Sequence, residues 1–165
     1  MVTQEAIGLG EEALGDGKRG MILVAGGQGT RLGFEPPKGM FPIGPVSART
    51  LFQMHCDRLL AMMKRYRTSL PMYVMTSPAT DAETRQYFAQ HDRCGLAEDQ
   101  LIIFCQGTMP AVDAQTGNVL LSSKDSLALS PDGHGGLVAA LARHGCLDDA
   151  RRRGIEYLYY AHVYN

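Results

Sequence analysis

The sequence predicts an α/β fold: a mostly parallel sheet with helices on both faces. Two observations carry this. Short apolar runs at 21–25, 71–75, 101–105 and 155–161 alternate with segments whose apolar residues recur at helical spacing. Strands that alternate with helices join as parallel βαβ units. The first run then breaks into Gly26-Gly27-Gln28-Gly29-Thr30-Arg31-Leu32-Gly33, four glycines in eight residues. A helix or strand interior does not tolerate that, because each glycine adds backbone entropy and packs nothing. A loop that brings backbone N–H groups close to an anion does.

In chain order, residues 3–14 predict a weak helix, interrupted by Gly8 and Gly10 and ended by Gly15-Asp16-Gly17. Residues 1–19 thus form a helical segment ahead of the first strand, and residues 20–165 the main unit. Met21-Ile22-Leu23-Val24-Ala25 reads as a buried strand. After the glycine loop, Pro36-Pro37 and Pro42 keep the backbone extended and hold Lys38 on a stiff segment facing the loop. Thr50 to about Tyr66 is a helix: Leu51, Met54, Leu59, Met62 and Met63 form its apolar stripe, Thr50 stands at the N-cap, and Lys64, Arg65 and Arg67 suit its C-terminal end. His55, inside it, reads as a structural histidine.

Pro71–Met75 is the second strand and ends in Thr76-Ser77-Pro78, hydroxyls that serve either a ligand at the strand end or the cap of the next helix. That helix spans 80–91, with Asp81 and Glu83 in its first turn. Leu101–Cys105 is the third strand, followed by Gln106, whose amide offers both acceptor and donors. Thr116-Gly117-Asn118 is a turn between two short extended pieces. A second glycine cluster, Ser130-Pro131-Asp132-Gly133-His134-Gly135-Gly136, opens a helix from Leu137 to about Arg143. Cys146–Arg153 is a short helix with a basic end, and Ile155–Ala161 an aromatic-rich fourth strand.

Composition excludes several classes. A formal net charge of −1 points to neither nucleic acid nor an anionic membrane as partner. No apolar run approaches the roughly 20 residues that span a bilayer, and the first twenty residues lack the apolar core of a signal peptide. Cys56, Cys94, Cys105 and Cys146 are widely spaced without a CxxC pair, so reduced thiols in a cytoplasmic protein are expected rather than a zinc site.

The glycine loop is not a P-loop, since no Gly-Lys-Ser/Thr follows at the required distance, and not the dinucleotide fingerprint, since Leu32 stands where its third glycine belongs. Arg31 and Lys38 add two cations suited to phosphate oxygens, one a planar fork and one a point charge. Valine at Gly27 or Gly29 is accordingly expected to abolish nucleotide binding without unfolding the domain, by filling phosphate space and forbidding positive φ.

Val24-Ala25-Gly26-Gly27-Gln28-Gly29-Thr30-Arg31-Leu32-Gly33 with Pro37-Lys38-Gly39-Met40-Phe41 resembles the signature of the UDP-sugar pyrophosphorylases. The likeness is to the branch of the UDP-N-acetylhexosamine (UDP-N-acetylglucosamine) enzymes. Met75-Thr76-Ser77, Gln106-Gly107 and the 130–136 cluster extend it over nearly the whole chain. The resemblance implies a Rossmann-like, GT-A-like nucleotidyltransferase fold, here truncated, with residues 20–165 as the nucleotide-binding part and the sugar-binding half absent. It implies a uridylyltransferase that joins UTP and a sugar 1-phosphate (N-acetylglucosamine 1-phosphate or glucose 1-phosphate) and releases pyrophosphate.

By the same resemblance, Arg31 and Lys38 are catalytic. Ala25, Gly26, Gly27, Gln28, Gly29, Thr30, Met75, Thr76, Gln106, Leu129, Pro131, Gly133 and His134 bind the nucleotide, with Gln106 and the Met75-Thr76 segment by the uracil. Mg²⁺ is the family's cofactor, held by the Asp of a Val-Asp-Asn strand end. Here the matching residues are Val163-Tyr164-Asn165, and a phenol, with a pKa near 10, is a poor Mg²⁺ ligand at neutral pH. The alternative to the enzyme is therefore a truncated or degenerate UTP-binding module without turnover.

Overall fold

The computed structural model describes residues 3–133 and 135–163 and, of Arg31, the main chain alone. Elements follow in the order α1 (Gln4–Gly15), β1 (Arg19–Val24), α2 (Leu51–Tyr66), β2 (Met72–Thr76), α3 (Asp81–Gln90), β3 (Leu101–Cys105), β4 (Thr108–Pro110), β5 (Leu121–Ser123), β6 (Ser126–Leu127), β7 (Leu129–Pro131), α4 (Gly136–Arg143), α5 (Cys146–Arg152) and β8 (Tyr157–His162). Four strands pair in parallel in the order β3-β2-β1-β8. The order reverses at β1, which lies between β2 and β8. In such sheets the crevice beyond the carboxyl ends of the strands at that reversal is where ligands bind.

Alternation along the strands sends side chains to two cores. Met21, Leu23, Met72 and Val74 face α2 and α3, meeting Phe52, Leu59 and Phe88. Ile22, Tyr73, Met75 and Phe104 face α4 and α5, meeting Leu137, Leu141 and Cys146. Helices therefore cover both faces, as the strand–helix alternation predicts. The ion pairs, by contrast, are mostly solvent-exposed, where such pairs contribute about 0–1 kcal/mol each. Burial of the two cores decides the fold.

The predicted α2 is present with its cap: the Thr50 hydroxyl accepts from Gln53 N at 3.2 Å and the Gln53 side chain accepts from Thr50 N at 3.0 Å. Helix α1 corrects one expectation, because Gly8 and Gly10 do not interrupt it. Both glycines face open space, so each costs only its propensity deficit of about 1 kcal/mol. Thr3 caps the helix, and Leu14 and Glu11 tie it to the α2 face and to Arg65. The turn at 116–118 is also present: the Asp113 carboxylate accepts from the N–H groups of Gln115 and Thr116, and Val112 pairs with Val119 across it.

Candidate nucleotide site

Strand β1 delivers the glycine loop to the carboxyl end of the sheet. The loop folds back on the proline segment: Gly29 N–H donates to Pro36 O at 3.1 Å and Lys38 N–H to Gly27 O at 3.0 Å, pairing Gln28 with Pro37 in an antiparallel bridge. Lys38 is thereby held beside the loop, which is the arrangement its sequence spacing implies. Pro37 is buried and Gly39 sits against the ring of Phe52, so the lysine stands on a packed base. The N–H groups of Gly26, Gly27 and Gln28 have no hydrogen-bond partner among the described residues. Consecutive unsatisfied N–H groups at a strand end form an anion cradle. Thr30 and Arg31 continue in a short 3₁₀ turn, Thr30–Leu32; the Arg31 side chain lies outside the described residues.

Not every predicted residue meets solvent. Ala25 is 1% exposed and donates to Met75 O, Gly29 is buried, and Met75 and Thr76 are 1% and 0% exposed. The Thr76 hydroxyl bonds the Asp81 carboxylate at 2.5 Å and Phe104 O at 3.1 Å. Ser77 donates through Oγ to Gly26 O at 2.8 Å, and its N–H reaches the Thr80 hydroxyl at 3.0 Å. These bonds take up the Thr76 and Ser77 hydroxyls, and neither caps α3, whose N-cap residue is Thr80 and makes no side-chain cap bond. The carboxylate of Asp81 is held below its usual range by Arg85 and by that hydroxyl, against the opposing effect of burial.

Gln106 is brought to the loop. Its main chain joins Thr76 O at 2.9 Å, and a side-chain carbon on Gly26 would lie 3.0 Å from its Nε2. A side chain at position 26 would crowd this amide and, at 3.3 Å, the Ser77 Cβ. On the far side, the β4–β7 ribbon carries Leu129 and Pro131 alongside Thr108–Pro110, and Asp132 N–H donates to Gly107 O at 3.1 Å. Leu129, Pro131 and Gly133 are exposed, and the Asp132 bond ties their segment to the residue after Gln106. His134 and Tyr164 lie outside the described residues.

Asp132 is a residue whose placement sequence reasoning missed. Its carboxylate occupies the space where side chains on Gly107 and Gly136 would stand, and its Oδ1 is buried without a partner. The pairing of two glycines 29 positions apart around one carboxylate has no local signature in the chain. A cavity of about 420 Å³ opens elsewhere, at the start of β1, lined by Arg19, Met21, His55, Leu59 and Tyr159. It is remote from the loop.

The described residues bring no three His, Cys, Asp or Glu side chains together as a metal site. The described donors at the ends of β1 and β8 are main-chain amides and His162, whose Nε2 contacts the Tyr160 hydroxyl. They do not fit a divalent cation by themselves.

With this geometry in place, comparison with known proteins is specific. UDP-N-acetylglucosamine pyrophosphorylase of Saccharomyces cerevisiae is 43% identical over 154 residues, covering 92% of this chain and 32% of that protein. UDP-N-acetylglucosamine diphosphorylase 1 of Arabidopsis thaliana is 41% identical over 160 residues, covering 91% and 32%. The crystal structure of the uridine diphosphate N-acetylglucosamine pyrophosphorylase from Trypanosoma brucei, in complex with inhibitor, superposes with a TM-score of 0.87 at 30% identity, over 93% of this chain and 33% of that one. The chain spans about a third of the length of these relatives. The family model described as UTP–glucose-1-phosphate uridylyltransferase matches residues 10–165, and the chain belongs to that family.

Proposed function

We propose that this chain is the UTP-binding part of a uridylyltransferase that joins UTP to a sugar 1-phosphate, N-acetylglucosamine 1-phosphate by the names of its relatives. The observation that carries the reading is the unsatisfied N–H cradle of Gly26, Gly27 and Gln28, flanked by Lys38 on one side and the Gln106 amide on the other. A phosphate chain laid along the cradle puts a base against Gln106, whose donor and acceptor match the edge of uracil.

In the reaction an oxygen of the sugar 1-phosphate attacks the α-phosphorus of UTP, and pyrophosphate leaves. Little proton chemistry is asked of the protein; positioning and charge balance do most of the work. The cradle holds the phosphates in line. Lys38 is assigned to the α-phosphate and the incoming phosphate, Arg31 to the leaving β- and γ-phosphates, where negative charge grows. No step is assigned to Mg²⁺, because the described donors do not fit it.

Calorimetry with UTP, CTP and ATP on the wild type and on Gln106→Ala tests the base assignment. UTP binding about tenfold tighter than CTP or ATP, a preference of about 1.4 kcal/mol, is expected, with the preference lost in Gln106→Ala. Equal binding of all three by the wild type overturns it. A second reading, UTP binding without turnover, is favoured by Tyr164 in the place of the family's metal carboxylate. Neither reading expects turnover from this chain alone, which lacks a pocket for the second substrate; pyrophosphate release from UTP and N-acetylglucosamine 1-phosphate by the chain joined to the sugar-binding half of a relative separates the two, release removing the second reading and no release with UTP binding intact removing the first.

A further inference from the structure

Gln106 reaches the glycine loop from the end of β3, and β3 is an edge of the sheet. Among the described residues no further strand pairs with its outer side. Past the paired residues Thr76 and Cys105, Gln106 N–H donates to Thr76 O at 2.9 Å, and Gly107 then leads into β4. An amide carried on such a strand end is placed only as well as that end is held.

The first turns of α3 supply the hold. Arg85 Nη2 donates to Ile103 O at 2.9 Å, a main-chain carbonyl of β3. Arg85 Nε donates to Asp81 Oδ2 at 2.7 Å, one turn earlier on the same helix. The other oxygen of Asp81, Oδ1, accepts from the Thr76 hydroxyl at 2.5 Å, and that hydroxyl lies 3.1 Å from Phe104 O. A hydroxyl has one hydrogen to give. The carboxylate is the nearer acceptor and, being charged, the stronger one. Asp81 thus stands between an arginine that grips β3 and a threonine whose own carbonyl carries Gln106. Without the carboxylate, the half-exposed Arg85 side chain would have many rotamers to choose from.

The facing wall is held from the same helix start. Ser77 Oγ donates to Gly26 O at 2.8 Å, and Asp81 N–H donates to Ser77 O at 2.9 Å. Gln106 Nε2 lies against Gly26, 3.0 Å from where a side chain there would begin. The spacing of amide and loop is therefore set from one place.

We propose that Asp81 is a positioning residue: through Thr76 and Arg85 it sets where the Gln106 amide stands, and so how strictly the site selects its base. The inference rests on Gln106 as the contact to uracil. The phosphate cradle and Lys38 are held separately, by the bonds of Gly29 to Pro36 and of Lys38 to Gly27. Loss of the Asp81 carboxylate should therefore relax base selection and leave phosphate binding in place.

The test compares Asp81→Ala with Asp149→Ala. Asp149 is a control of the same kind, an arginine-paired carboxylate that accepts from the Tyr73 hydroxyl, but on the other face of the sheet. The first readout is the Gln106 side-chain NH₂ resonance in nitrogen-15 spectra of the nucleotide-free chain, assigned by its disappearance in Gln106→Ala. It should shift or broaden in Asp81→Ala and stay in place in Asp149→Ala. The second is calorimetric binding of UTP and CTP. The expected preference for UTP, about tenfold in the wild type, should fall to about threefold or less in Asp81→Ala, with CTP affinity within about twofold of the wild type. Asp149→Ala should lower the melting temperature and keep the wild-type ratio. Should Asp81→Ala fail to fold, Arg85→Ala, at a half-exposed position, is read in the same way. The absence of either change in the Asp81 variant, or the same changes in both variants, overturns the proposal. The wild type reports separately on the uracil reading: equal binding of UTP and CTP removes that reading, and the resonance alone then decides whether Asp81 places the amide.

Discussion

Glycines that look alike in the sequence carry different loads. A side-chain carbon at Gly27 meets nothing within 4 Å, whereas one at Gly29 lies 2.5 Å from Phe34 O and one at Gly39 strikes the Phe52 ring. Neither Gly27 nor Gly29 has a positive φ; in this loop Gly33 does, at 67°. The expectation that valine at 27 and at 29 act alike therefore needs correcting. Gly27→Val should keep the wild-type melting temperature and lose UTP binding, because its added bulk enters only the cradle. Gly29→Val and Gly39→Ala should each lose about 1–3 kcal/mol of stability by overpacking. Thermal unfolding by circular dichroism, alongside UTP titration, checks both. A folded Gly27→Val with full UTP affinity would make the loop a turn and nothing more.

At the scale of elements, α2 does most to join the site to the sheet. Thr50 caps it and also bonds the Tyr87 hydroxyl at 2.6 Å, and its Phe52 ring packs with Tyr87 and Phe88 beneath Gly39. Thr50→Ala should cost about 1–2 kcal/mol from the cap. Farther along, His55 Nε2 lies 3.1 Å from Val163 O, so the nitrogen carries the hydrogen and ties the helix to the end of β8. Burial lowers the His55 pKa, against the opposing pull of that hydrogen bond. The unfolded chain then takes its proton first, near pH 6.5, so stability falls as pH drops from there to the folded value and stops falling below it. Asp81 and Asp149, both depressed by their arginine partners against burial, act in a lower, separate window. Melting temperatures at pH 7.5 and 5.5 should differ less in His55→Gln, which keeps a donor for Val163 O, than in the wild type. An unchanged difference would remove His55 from the account.

At the scale of the whole molecule, β1 and β2 are paired on both sides while β3 and β8 are edges. Tyr157 and Tyr159 of β8 remain exposed, although parallel sheets are ordinarily covered on both faces. Met109, Val112, Val119, Leu121 and Leu129, on the arm built from β4 to β7, are exposed as well. Amide hydrogen exchange should therefore be slowest in β1 and β2, at the rate set by global unfolding, and faster for the outward amides of β8 and throughout the arm. Uniform protection along β8 would mean that its outer edge is covered, as by association of two chains.

Much of this was legible in the sequence because it depends on near neighbours. Period and punctuation place α2, β1, β2 and β3 to within a residue or two, and the Thr50 cap lies three positions from its partner, Gln53. The meeting of the glycine loop and Lys38 is legible because the proline segment is too short and stiff to carry the lysine elsewhere. What packing decided has partners far apart in the chain. Thr76 points inward because Asp81 and Phe104 O claim its hydroxyl, Gly26 is crowded by Gln106, which arrives from the end of β3, and side chains on Gly107 and Gly136 would enter the space that the Asp132 carboxylate fills. Local periodicity is a property of successive backbone angles, so the chain displays it openly; side-chain orientation is settled by which hydrogen bonds and volumes remain when distant segments close on one another.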